Sequence, residues 1–161
     1  MNPLSVRLLL VVVLAVAAAD AVFTQPHRGQ PLLLGTWQLD LSRSKYFPGP
    51  PPRSETRTYT ADSNGVLGVI KRVHANGRME TIEYRADFDR EHAVTGTPAY
   101  DAIKLRMIDE LTAESTLSHA GIVYGTARRL ISPDGNSLTI MFERKTSDDT
   151  VRNVAIYSRV P

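Results

Sequence analysis

Residues 61–88 read ADSNGVLGVIKRVHANGRMETIEYRADF, and two Asn-Gly pairs, Asn64-Gly65 and Asn76-Gly77, divide the stretch. A tight primed turn needs backbone at positive φ, which asparagine and glycine adopt at least cost, so each pair marks a hairpin. Residues 66–74 between the pairs have strand composition. After the second pair, Ile82, Tyr84, Ala86 and Phe88 alternate with Glu83, Arg85 and Asp87. That two-residue period sends one face inward and the other to water. Two consecutive hairpins make a meander.

The same pattern continues in both directions. Upstream, Trp37, Leu39 and Leu41 alternate with Thr36, Gln38 and Asp40. Residues 42–54 then carry Pro48, Gly49, Pro50, Pro51 and Pro52; no helix runs through them, so they form a loop over one end. In residues 55–60, Thr56, Thr58 and Thr60 share one face, with Arg57 and Tyr59 on the other. Downstream, residues 89–100 are turn-rich around a short extended piece at 92–95. Ile103, Leu105 and Met107 alternate with Lys104 and Arg106, and strands follow at 112–118, 122–131, 138–145 and 151–160. Turns at Ala120-Gly121, at Pro133-Asp134-Gly135-Asn136 and at Ser147-Asp148-Asp149 separate them. Many short strands without convincing helix predict an all-β domain, an antiparallel up-and-down barrel of about 8–10 strands, with a β-sandwich as the alternative. Sequential hairpins favour the barrel, because closure removes exposed edges whereas sandwiches need Greek-key crossovers.

A length of 161 residues suits one domain. Arg7, the apolar run 8–19 and small residues at Ala17/Ala19 or Ala19/Ala21 read as a signal peptide cleaved before Asp20 or Val22. The run is short for a membrane span, which takes about 20 residues. The expected organisation is a signal peptide at 1–21, a linker at 22–34 and a single barrel domain at 35–161, with a periplasmic or secreted location. The chain has no cysteine, so it offers no disulfide, thiolate metal site or thiol nucleophile. The net charge of +2 comes without a clustered basic stripe, which argues against nucleic acid. Arginine far outnumbers lysine, and its planar fork suits carboxylates and phosphates.

Gly35, Thr36 and Trp37 at the head of the first strand resemble the Gly-x-Trp opening of the calycins, the lipocalins and fatty-acid-binding proteins. Ala155, Ile156, Tyr157, Ser158, Arg159 and Val160 look like the closing strand of the fatty-acid-binding branch. The whole chain also resembles small bacterial exported proteins, mostly of unassigned function, that share the Trp37 segment, the proline loop and the stretch from Asn153 to Tyr157. The resemblance implies a meandering barrel with Gly35 and Trp37 at one end and room inside for a small apolar ligand. The fatty-acid-binding branch captures a carboxylate with arginine and an arginine-x-tyrosine pair. Arg128 stands where one such arginine would lie and Tyr157 matches the tyrosine; Ala155 replaces the partner arginine, and the proline loop replaces the two lid helices.

Strand geometry bears on the same residues. Arg128 and Arg129 are adjacent, so they point to opposite faces and one enters a barrel, where an acid such as Glu143 or Glu114, or a bound anion, must pair with it. The expected ligand site takes Arg128 and Tyr157 as its polar end, with Tyr84 and Tyr124 along the cavity. Trp37 packs a barrel end.

His27, His74, His92 and His119 have no metal-ligand spacing, and Asp87, Asp89 and Glu91 lack the glycine of a calcium loop, so no metal or other cofactor is expected. No Gly-x-Ser-x-Gly elbow or phosphate-binding glycine loop is present, and no residue is assigned a catalytic role. The expected function is an exported, non-enzymatic binding protein with a cavity for a small apolar or amphiphilic ligand. One alternative is a cell-envelope interaction or inhibitory module with a filled core, acting through loops 46–53 and 90–101. Another is a small outer-membrane barrel with an apolar outer face.

Overall fold

The computed structural model describes residues 31–63 and 65–161, so the expected signal peptide, most of the linker and Asn64 lie outside the described residues. After a 3-10 turn at Pro31–Leu33 come eleven strands: β1 (Gly35–Leu39), β2 (Lys45–Phe47), β3 (Ser54–Asp62), β4 (Gly65–Val73), β5 (Met79–Ala86), β6 (Glu91–Thr95), β7 (Ala102–Met107), β8 (Thr112–His119), β9 (Ile122–Ile131), β10 (Ser137–Lys145) and β11 (Thr150–Val160). β1 and β3 through β11 bond in sequence order, and β1 pairs back onto β11, with Thr36 opposite Val160 and Leu39 opposite Tyr157. The result is a closed ten-strand antiparallel barrel of up-and-down connection, not a sandwich.

β2 stands outside this ring. It pairs with β11 at Val154, Asn153 and Arg152, directly beyond the stretch of β11 that β1 occupies. The proline loop therefore contains a strand that sequence periodicity does not show, because three residues bounded by Pro48 carry no readable period. Its order comes from its partner.

Alternation decides which side chains enter the barrel. In β5, Glu80, Ile82, Tyr84 and Ala86 are buried while Met79, Thr81, Glu83 and Arg85 face water. Directly opposed residues on neighbouring antiparallel strands share a face. The register thus carries Arg57, Ile70 and Ile82 inward as one row and Glu55, Arg72 and Glu80 as another. Lys71, Lys104, Arg106 and Arg128 are exposed on the outside. A membrane-spanning barrel presents an apolar belt there, so a charged exterior reverses the outer-membrane arrangement.

One end of the barrel is packed shut. Trp37 is completely buried, and its indole Nε1 donates to the carbonyl of Leu33 at 2.8 Å. Leu33 is itself buried, so the packing reaches two residues before β1, into the expected linker. Arg159 lies over the Trp37 ring at 4.2 Å and donates to the carbonyls of Leu34 at 2.7 Å, Gly135 at 2.6 Å and Leu32. Gly35 has φ of 126° and faces this guanidinium; a Cβ there would come within 2.6 Å of it. The positive φ is what favours glycine here. Val66, Ala86, Ile131 and Leu138 complete the plug.

Candidate ligand cavity

The other end is open. A cavity of about 390 Å³ lies above the plug. Its upper wall is aromatic, from Tyr46, Tyr100, Tyr124 and Phe142, and Pro50 and Pro98 come in from the loops. Tyr124 stands 5.8 Å from Tyr100 and 6.2 Å from Phe142, ring centre to ring centre. It reaches inward at the irregular step where β8 and β9 shift register, beside Gly125. Missing side chains make room for these rings: a Cβ on Gly125 would meet Phe142 at 2.8 Å, and one on Gly68 would meet Tyr84 at 2.6 Å.

Another wall is charged. Glu55 is 2% exposed, and one carboxylate oxygen accepts from Tyr157 Oη at 2.6 Å and Arg57 Nε at 2.6 Å. The other accepts from Arg72 Nε at 2.5 Å. Arg57 also lies over the Tyr157 ring at 5.2 Å. Arg72 continues to Glu80 at 3.3 Å, and Glu80 is met by His74 Nε2 at 3.1 Å and by Arg78 at 3.4 Å. Arg72 thus ties two buried acids together, with Arg57 on the first and Arg78 on the second. Burial alone would raise the Glu55 carboxyl, but Arg57, Arg72 and Tyr157 overcome it and bring the pKa from 4.5 to about 2. Glu55 is a carboxylate at any ordinary pH. Burial drives the Tyr157 phenol well above its usual value, so it stays protonated and donates.

The sequence-predicted residues fall into three groups. Tyr84, Tyr124 and Tyr157 all line the cavity, while Gly35 and Trp37 belong to the closed end. Arg128 is a correction: it pairs across the outer face with Glu114 and Met141 and is exposed, so the arginine that enters is Arg129. The parity of β9 decides this, because Ala127, Arg129 and Ile131 share the inner face. Arg129 packs over the Tyr59 ring at 5.6 Å. The acids named as its partners also lie outside, where Glu114 binds Arg106 at 2.5 Å and Glu143 binds Arg152 at 3.3 Å.

Glu55, Arg57, Arg72 and Glu80 form a cluster that sequence reasoning missed, though a signal was present. Glu55 is in phase with Arg57 and Tyr59, and Glu80 with Ile82, Tyr84 and Ala86. A charged residue on the apolar parity of a strand is a buried charge, and a buried charge requires a partner.

No family model, curated protein or solved structure matches the chain. Among the described residues no group of three or more potential ligands is placed to hold a metal ion.

Proposed function

We propose that the protein is an exported, non-enzymatic binding module, calycin-like in kind, whose barrel takes one small amphiphilic ligand tail-first or head-first through the open end. The observation that carries this reading is the cavity itself: about 390 Å³, which falls within the usual range of ~300–1,000 Å³ for ligand sites, with both aromatic and charged walls. A filled-core interaction module would spend that volume on side chains. The apolar leader at 8–19 supports export to the periplasm or beyond.

The charges favour an anionic ligand. Arg57, Arg72, Arg78 and Arg129 line the cavity against Glu55 and Glu80, which leaves an excess of positive charge. Glu55 occupies Tyr157, Arg57 and Arg72 as donors, so Tyr157 serves the protein's own carboxylate. Ligand polarity is then met by the more exposed guanidinium of Arg78.

Native mass spectrometry of the protein purified from its own host tests the proposal, with titration of anilinonaphthalene sulfonate, an anionic amphiphile, as a second measurement. A one-to-one complex is expected, weakened at least tenfold by Ala127→Phe, which fills the cavity from β9. Absence of any co-purifying molecule together with probe binding indifferent to Ala127→Phe would overturn it.

A further inference from the structure

Four large apolar side chains of the described residues are more than half exposed: Met79 at 81%, Ile122 at 74%, Phe47 at 62% and Val123 at 60%. All four belong to the open end. Met79 stands opposite Val73 at the tip of the β4–β5 hairpin, and Ile122 and Val123 stand opposite His119 and Ser118 at the tip of β8–β9. Phe47 ends β2 where the chain enters the proline loop. These places lie well apart around a ten-strand ring, so the residues surround the opening instead of forming one patch on its side. Scattered exposed apolar residues need no explanation, but the most exposed ones gathering at one end do.

Charge divides along the same axis. The turns of the closed end carry Asp62, Asp87, Asp89, Asp109, Glu110 and Asp134, with Arg85 and Arg90 paired to two of them. Around the open end Lys45, Arg53, Lys71, Arg78 and Lys145 are exposed, beside Asp101, Asp148 and Asp149. Lys45 shares the outward face of β2 with Phe47, and Lys71 on the outer face of β4 lies two pairs below the pair Val73–Met79. An anionic plane therefore repels the closed end and draws the open one. Apolar tips flanked by cations have the composition of an interfacial anchor, in which the tips enter the acyl boundary and the cations meet lipid phosphates.

We infer that the open end docks on an anionic lipid surface, seating the cavity mouth against the membrane with Phe47, Met79, Ile122 and Val123 in the interface. This inference stands on the rim and not on occupancy of the cavity, so vesicle binding and ligand binding fail separately.

Flotation with vesicles of phosphatidylcholine, with and without one third phosphatidylglycerol, tests it. The ring closes within residues 35–160, so a chain beginning at Val22 keeps every strand pairing of the described residues and removes the apolar leader from the measurement. Binding to the anionic vesicles is expected, with a loss of at least tenfold in Met79→Ser/Ile122→Ser/Val123→Ser and a further loss in Phe47→Ser. Ile108→Ser, an exposed apolar residue in a closed-end turn, should bind as the parent does. Equal binding to neutral vesicles, no binding at all, or equal losses in the rim and Ile108 variants would overturn the inference. So would a concentration-dependent dimer in sedimentation velocity that the triple substitution abolishes, which would make a second copy the rim's partner.

Discussion

The two halves of the barrel interior bury their polar groups by opposite means. At the closed end the plug is apolar, and the indole N–H of Trp37 is satisfied by a single backbone carbonyl, that of Leu33. At the open end Glu55, Arg57, Arg72 and Glu80 satisfy one another, so each member is a condition for the next. Packing of the first kind gives stability roughly in proportion to area removed from water. A charged network contributes little net stability, but it punishes the loss of any one partner and leaves a polar wall that a ligand can use.

The largest effect should come from the packed half. Trp37→Ala removes the plug and should cost about 4 kcal/mol. Urea unfolding followed by circular dichroism measures it, since the only tryptophan is the one removed; a loss below about 1 kcal/mol would show that the closed end is not the mechanical base of the barrel.

Next is Glu55→Gln, which leaves Arg57 and Arg72 facing a neutral amide and should cost about 3 kcal/mol. It also carries a pH signature. The carboxyl has a lower pKa in the folded protein, about 2 against 4.5, so its contribution is complete above pH 4.5 and lost as pH falls toward 2. The variant should lack that part of the acid limb; an unchanged acid limb would mean the cradle is not formed in solution. Tyr157→Phe removes one bond to the same carboxylate and should cost about 2 kcal/mol. Combined with Glu55→Gln it should add less than its own effect, because the two substitutions act on one hydrogen bond. Full additivity would separate the pair. Smallest of all, Arg128→Ala should change stability by no more than about 0.5 kcal/mol and leave probe binding as it was, because its side chain lies on the outer wall.

The periodic part of the fold was readable from residues alone. Alternation in residues 79–86 and the Asn76-Gly77 turn identify β5 and its hairpin, because strand period and turn backbone are local properties. Ring closure was an inference from repeated hairpins. β2 was not readable, since its hydrogen bonds come from β11 over a hundred residues away. The placement of Arg128 failed through parity: adjacent arginines offer two choices, and the neighbours Ala127 and Ile131 would have settled it. Glu55 and Glu80 were legible as charged residues on apolar faces, but their mutual link through Arg72 depends on register between β3, β4 and β5.

The seam between β1 and β11 also bears on how the molecule forms. Only four residue pairs close the ring there, against nine between β10 and β11, and they join positions at opposite ends of the described chain. Loop-closure entropy opposes such long-range pairing until the intervening hairpins have shortened the effective loop. Hairpins can therefore assemble one by one while the seam waits, and the barrel acquires an inside only at the last step, when Trp37 and Arg159 meet.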